Sequence, residues 1–216
     1  MPLPRFEKLE PKRQDGILNA ARKEFAAHGF DGASYNRIIE LAGISKGAMY
    51  YYFADKDDLF RTVIDDASER LINALHVPRV IPADAESFWR ECEAVYLRML
   101  RFLTIDTNLA DLCWSMASAR ARGQAHAAVV AVNERIVQLT EQLVQLGQQV
   151  GAIRTDLPSD LIVTLSFGML EGMDQWLGAH WEEIRHGDLH ATSRQMISLL
   201  RGAIEIRESK HHDAST

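Results

Sequence analysis

Two short helical patterns, separated by a single glycine, constrain this chain more than any other feature. Ser34 precedes the apolar set Ile38, Ile39 and Ala42, and Gly43 stops that pattern. Ser45 starts a second pattern whose inward residues are Ala48, Met49 and Tyr52. Each serine is an N-cap candidate, because its hydroxyl accepts one of the free N–H groups of a first helical turn. Gly43 suits the corner between them, since it adopts backbone conformations that other residues resist. Helices this short bury too little apolar surface to stand alone. The flanking sequence supplies the missing surface. Ile17, Leu18, Ala21 and Phe25 recur at three- and four-residue steps on one side. On the other, Asp55 caps a pattern running from Lys56 through Leu59, Phe60 and Val63 towards Leu75. Gly29 breaks the earlier stripe, and Phe30-Asp31-Gly32 reads as a turn.

Pro78 and Pro82 then mark a linker. Beyond it the periodicity predicts helices over 84–104, 107–120, 124–150, 159–180 and 190–208, and no strand alternation appears. The polar tail RESKHHDAST is expected to fray. The fold class is therefore all-α: a small N-terminal head of three to four helices, and a larger helical body. The longest uncharged run, Gln142 to Ile153, is glutamine-rich and falls short of a membrane span. The N-terminus lacks the apolar stretch of a signal peptide, so the expected location is the cytoplasm, with no membrane partner. Cys92 and Cys113 form no metal spacing and read as small buried thiols.

Two short helices at a glycine corner, cradled by longer ones, are the arrangement of a helix-turn-helix reader of DNA. The net charge of −6 argues against such a partner only on average. Up to Lys56 the chain carries a local +2, and the remainder −8. Lys46 projects from the start of the second short helix, where it can reach a phosphate or a guanine edge. Gly47 and Ala48 beside it are small enough to let that helix press against base edges. Tyr50 and Tyr51 carry hydroxyls suited to phosphate oxygens. Lys56 opens the next helix, where its ammonium and the free N–H groups both favour an anion. Ile44 is placed to plug the angle between the two short helices.

The run from Ile38 to Phe53 (IIELAGISKGAMYYYF), followed by Lys56 and Leu59, resembles the signature of the TetR family of bacterial transcriptional regulators. So does the preceding Ile17-Leu18-x-x-Ala21-x-x-x-Phe25-x-x-x-Gly29-Phe30. The resemblance covers about residues 12–60. It implies a homodimer with two N-terminal DNA-binding heads, and a C-terminal helical domain that binds a small molecule and dimerises through its last two long helices. It divides the chain into a helix-turn-helix domain, 1–56, and a ligand-binding and dimerisation domain, 57–216. Carried over residue by residue, Ser34, Tyr35, Ser45, Tyr50, Tyr51 and Lys56 would hold phosphates, and Lys46, Gly47 and Ala48 would face bases. Ile39 departs from the alanine the family often has there, which should alter packing between helices without changing the fold.

In the body, Trp89, Cys92, Tyr96 and Met99 form a stripe with Leu100 and Leu103. Trp114 and Met116, then Val129 and Val132, then Met169, Met173 and Trp176 follow on later helices. Thioethers and rings adapt to irregular shapes, so these residues either line a chamber for an apolar or planar ligand or fill the core. His126 could orient such a ligand or sit as a hydrogen-bonded core histidine. Asn108 and Asp111 are further polar candidates. Asp174 could meet a cationic ligand, solvent or an arginine. Gly168 and Gly172 share a helical face with Leu161 and Leu165. With Met196, Leu200 and Ala203 on the last helix they could build a two-fold, four-helix interface, or pack within the chain. His186 and His190 lack a third partner, and no metal and no cofactor are assigned.

The function expected is therefore a regulator, most simply a repressor, that binds a palindromic duplex as a dimer and is released by a small ligand. The alternative is a ligand-independent regulator or an activator working through a protein partner. An enzyme is not expected, since no paired carboxylates or phosphate loop emerge. Gly43-Ile44-Ser45-Lys46-Gly47 fits a serine-hydrolase elbow in letters only, because that elbow needs a strand before its serine.

Overall fold

In the computed structural model of this chain, residues 4–76 and 81–206 are described. Pro78 of the expected linker and the 207–216 tail lie outside them. The helices run α1 (Pro4–Glu7), α2 (Pro11–Gly32), α3 (Tyr35–Ala42), α4 (Lys46–Tyr52), α5 (Lys56–Leu75), α6 (Ala85–Ile105), α7 (Thr107–Ala121), α8 (Ala127–Gln149), α9 (Ser159–Ala179), α10 (Trp181–Ile184) and α11 (Leu189–Ile204). The caps explain why the chain turns where it does. Ser34 Oγ accepts the Arg37 N–H (3.3 Å), Ser45 Oγ the Ala48 N–H (3.1 Å) and Asp55 Oδ1 the Asp58 N–H (2.8 Å). Gly43 holds a left-handed conformation (φ 63°, ψ 33°) and donates its N–H to Glu40 O at 3.1 Å. A Cβ there would strain the backbone, so the corner needs its glycine.

In the body the last helix, expected over 190–208, ends at Ile204 and follows a short helix, α10, that the sequence did not announce. Two features of the head also differ from the sequence reading. Phe30-Asp31-Gly32 is not a free turn. Gly29 (φ 67°, ψ −177°) kinks α2 and the next residues resume the helix. Phe30 then packs against Phe60, ring centroids 5.1 Å apart, which fixes the new direction. The second feature is α1, which no periodicity announces. Its Phe6 is 3% exposed and packs against Phe53 at 4.7 Å.

The head core joins Ile17, Leu18, Ala21 and Phe25 of α2 to Ile38, Met49, Phe53, Leu59 and Val63. Ile39 is buried in it and Ile44 packs against it. Between α2 and α5 lies a charged seam. Arg22, 2% exposed, meets Asp66 at 2.6 Å, and Arg70 reaches both Asp66 (2.9 Å) and Asp15. A guanidinium this deep is tolerable because a carboxylate meets it. In the body, α6 packs on α11, α8 on α9, and α7 on both α9 and α2. The α2–α7 contact is the main bridge between head and body. Ile153 pairs with Glu205 in an isolated bridge that closes the loop after α8 onto the end of α11.

Candidate nucleic-acid interface and the seam above it

The expected contact residues lie on α3, α4 and their N-caps, with Lys56 at the start of α5. Ser34, Ser45, Lys46 and Gly47 are exposed, as are Tyr50 and Tyr51, while Tyr35, Ala48 and Lys56 are half-buried. Tyr35 and Tyr50 meet edge to face at 5.3 Å, and the Lys46 ammonium stands 6.0 Å above the Tyr50 ring. One aromatic pair thus steers a cation at the start of α4. Each capping serine uses a lone pair on its own helix, which leaves the hydroxyl proton free to donate outward.

Two of the nine are more occupied than the sequence suggests. The Tyr35 hydroxyl is buried without a hydrogen-bond partner among the described residues, and burial, with Tyr50, Asp55 and Asp58 nearby, pushes its ionisation well above the usual phenol value. It donates a proton and never carries charge, and the ring must turn before that hydroxyl meets a phosphate. The Lys56 ammonium donates to Asp31 O (3.3 Å) and Ala33 O (3.2 Å) and lies 4.8 Å over the Phe30 ring. Two of its three N–H groups therefore close the end of α2, and one remains.

His126 is the residue whose setting the sequence most understated. Its Nδ1 accepts the Ala128 N–H (3.1 Å), capping α8. The proton then belongs on Nε2, which donates to Asp57 Oδ1 at 2.8 Å. The ring also packs on Phe30 (4.3 Å) and Phe60 (4.8 Å). A histidine of the body is thus tied to the first turn of α5 and the last turn of α2. The other Asp57 oxygen takes the Arg61 Nε–H at 2.6 Å. That bond, joined by the one from His126, holds the carboxyl below the usual carboxylate range despite some desolvation.

Two cavities have walls from α2 and α7. One of about 220 Å³ is walled by Phe25, Phe30, Phe60, Met116, Arg122 and His126. A wider one of about 1010 Å³ lies between α2, α7 and the α9–α10 corner, lined by Lys23, Asn108, Asp111, Trp114, Trp181 and Glu182 among others. The Trp114 and Trp181 rings meet at 5.2 Å, and both indole N–H groups are buried without a partner among the described residues. Burial and the Glu182 carboxylate raise Asp111, against the pull of Arg185. Asn108 donates to Asn19 across the α2–α7 contact (2.9 Å).

The expected ligand residues do not share one chamber. Trp114 lines the wide cavity, and Met116 and His126 line the small one. Trp89, Cys92, Tyr96, Met99, Met169 and Met173 belong to the body core or pack against it. Burial pushes both the Cys92 and the Cys113 thiols up to about 12, so neither is a reactive thiolate. Trp176 is a correction: it is 48% exposed and stacks on His180 at 4.5 Å, away from Met173. Helical rotation places it instead in line with Leu161, Leu165, Gly168 and Gly172. Asp174 faces an arginine. Arg120 bonds Glu171 (3.0 Å) and Asn133 (2.9 Å) and approaches Asp174 at 3.8 Å. Desolvation still pushes the Asp174 carboxyl up to about 6, opposed by Arg120 and helped by Glu171.

For the expected dimer face, Leu161 (42%) and Leu165 (48%) are exposed, and Gly168, Gly172 and Ala203 lie open beside them. Leu200 is half-buried. Met196 is a second correction, since it is 8% exposed and belongs to the chain's own core. On α11 the outward leucine is Leu199, 62% exposed. Ile136, Leu139 and Leu143 of α8, which packs on α9, are exposed as well. No group of three or more His, Cys, Asp or Glu side chains among the described residues could hold a metal ion. No helix among them is long and apolar enough to cross a membrane.

Comparison with known proteins places this geometry. The sequence pattern of the bacterial regulatory proteins of the tetR family matches residues 17–63. The chain is similar to the HTH-type transcriptional repressor AcnR of Corynebacterium diphtheriae, 29% identical over 180 residues that cover 80% of this chain and 84% of that one. It is similar to the HTH-type transcriptional repressor NicS of Pseudomonas putida, 35% identical over 98 residues, 44% of this chain and 46% of that one. Among solved structures, a TetR family transcriptional regulator from Chloroflexus aurantiacus superposes with a TM-score of 0.66 at 22% identity, covering 96% of this chain and 100% of that one. The fatty acid degradation regulator FadR from Bacillus halodurans superposes with a TM-score of 0.68 at 20% identity, over 89% and 96%. These two likenesses speak for the fold.

Proposed function

We propose that this chain is a DNA-binding transcriptional regulator of the TetR type, as its likeness to that family's pattern and repressors supports, and that it represses from a palindromic operator, bound as a homodimer and released by a small apolar or aromatic ligand. In this reading residues 1–56 are the DNA-binding domain and 57–216 bind the ligand and dimerise. Lys46, Gly47 and Ala48 face base edges. Ser34, Tyr35, Ser45, Tyr50, Tyr51 and the last free N–H of Lys56 hold phosphates. One head reads too little DNA to be selective. Two heads about 34–36 Å apart reach successive major grooves, which is why the operator should be palindromic. The stripe of Leu161, Leu165, Gly168, Gly172 and Trp176, with Leu199 and Ala203, is the face that pairs the two copies. Leu200 flanks it. Such a protein works in the cytoplasm, where its operators are.

The observation that carries ligand control is the position of the cavities. Both have walls from α2 of the head and α7 of the body. An occupant there touches both helices and so can favour one angle between them over another. Indole and phenyl rings suit a planar or apolar occupant, and the carboxylates of Asp111 and Glu182 suit one with a polar end. A ligand that prefers the head angle that does not fit DNA shifts the population away from the operator. DNA and ligand then weaken each other by the same factor.

The test is a binding selection from fragmented genomic DNA with the purified protein, followed by a salt titration on the enriched duplex. A palindromic site with steep salt dependence is expected. Absence of any sequence-selective duplex at moderate salt, from protein shown to be free of small molecules, overturns the reading.

A further inference from the structure

We propose that Arg5, outside the helix-turn-helix and outside the residues the family pattern matches, is a DNA-backbone contact held in place by the recognition helix α4. The inference rests on the DNA-binding reading and adds to it a phosphate site contributed by α1.

The argument starts from Phe6. It is the large apolar residue of a four-residue helix, and a helix that short does not hold itself together in water. Burial supplies what the helix lacks. Phe6 sits 4.7 Å from the Phe53 ring and 6.2 Å from the Tyr52 ring, at the C-terminal end of α4. The return to α2 is tied as well. Leu9 donates its N–H to Phe6 O (3.0 Å), and the Gln14 side-chain amide donates to Glu7 O (3.1 Å) and Leu9 O (2.8 Å). The segment is therefore docked on the head and does not trail from it.

Docking Phe6 decides where its neighbour goes. Arg5 is exposed, and its guanidinium carbon lies 4.2 Å from the centroid of the Tyr51 ring. Tyr51 is itself half exposed on α4, on the face that meets DNA in this reading. A guanidinium stacked on a ring keeps its N–H donors in its own plane, at the rim, where they can fork onto phosphate oxygens. Stacking also removes part of the side-chain entropy that a free arginine would lose on binding. Lys46 to Ala48, at the opposite end of α4, are the base-facing group. Arg5 lies over the last turn of that helix, at Tyr51, so its partner is backbone phosphate, with no part in reading sequence.

The experiment measures affinity for the selected operator duplex against salt, using the intact protein and its Arg5→Gln and Arg5→Lys variants. Removing one phosphate-paired charge lowers the slope of log K against log salt by about 0.9 per head, or about 1.8 for a dimer. The advantage of wild type over Arg5→Gln should then shrink about twelvefold between 50 and 200 mM salt. Arg5→Lys should retain the slope and lose part of the affinity, since the charge stays and the stacking plane goes. Melting of Arg5→Gln should stay within about 1 °C of wild type, whereas Phe6→Ala, which undocks α1, should melt lower. An Arg5→Gln variant with the wild-type slope overturns the proposal, whatever its affinity, because a merely positional effect weakens binding equally at every salt concentration. If wild type itself shows no selective, salt-dependent binding, the DNA-binding reading fails and this one falls with it.

Discussion

Ser45 carries two roles that one pair of substitutions can separate. Its Oγ accepts the Ala48 N–H at 3.1 Å and so caps α4, a helix of seven residues. In so short a helix one cap satisfies a large share of the free N–H groups, and its loss costs about 1 kcal/mol. For a chain of this size that lowers the melting temperature by about 2–4 °C. Ser45→Ala should show that loss. Ser45→Asp should not, because aspartate caps as well as serine and its charge suits a helix N-terminus. On DNA the order changes. Ser45→Ala forfeits a hydrogen bond from a neutral hydroxyl to an anionic phosphate, about 1.5–3 kcal/mol per head, with the salt slope unchanged because no protein charge is removed. Ser45→Asp sets a carboxylate beside a phosphate. At about 4–5 Å and an effective dielectric near 20 this repulsion is roughly 3–4 kcal/mol before screening, so affinity should fall at least about tenfold per head. Thermal unfolding by circular dichroism and binding to the operator duplex read the two effects separately. An aspartate variant that melts as low as the alanine one would refute the cap. One that binds DNA as tightly as wild type would remove Ser45 from the phosphate face.

Three further outcomes are expected. Gly43→Ala places a side chain in a left-handed conformation with no neighbour within 4 Å of the new Cβ, so backbone strain alone should cost about 1–2 kcal/mol. Gly43→Asn should lose less, and equal urea midpoints for the two variants would contradict the conformational argument. Asp174 has its folded-state ionisation raised to about 6, so the folded chain binds the extra proton between about pH 4 and 6 and this group's contribution to stability declines as pH rises through that window. Asp174→Asn should therefore gain on wild type at pH 7 but not at pH 4.5 in paired urea titrations, and a gain equal at both would show that ionisation is not the cause. Leu165→Glu, on the exposed stripe of α9, should shift the protein towards monomer in sedimentation velocity while leaving its far-ultraviolet dichroism intact. An unchanged dimer would move the interface elsewhere.

The parts of this protein legible in the sequence are those governed by neighbours a few residues away. The caps at Ser34, Ser45 and Asp55 and the corner at Gly43 answer to local hydrogen bonds and local backbone energies. The helix limits of the body follow from a period that every turn repeats, which is why the reading 159–180 falls beside the observed Ser159–Ala179. The direction in which a helix face points is set by its packing partners. Met196 and Trp176 both sit in apolar helical runs, and a run does not say which of its faces the rest of the chain covers. Packing on α6 takes Met196 inward, while among the described residues Trp176 is left half exposed. α1 was invisible because four residues hold no period, and one phenylalanine becomes a core residue only where Phe53 and Tyr52 offer it a surface.

The sequence by itself determined an all-helical chain and the helix-turn-helix with its capping serines. Tertiary structure alone decided how the head is coupled to the body. His126 and Asp57 are 69 positions apart, and nothing in the sequence near either names the other. Their bond exists because α7 lies along α2 and brings the start of α8 against the first turn of α5. Cavities have the same origin, as spaces left where helices distant in sequence meet. Local energies are written residue by residue, whereas a contact between distant segments depends on where the whole chain has placed both.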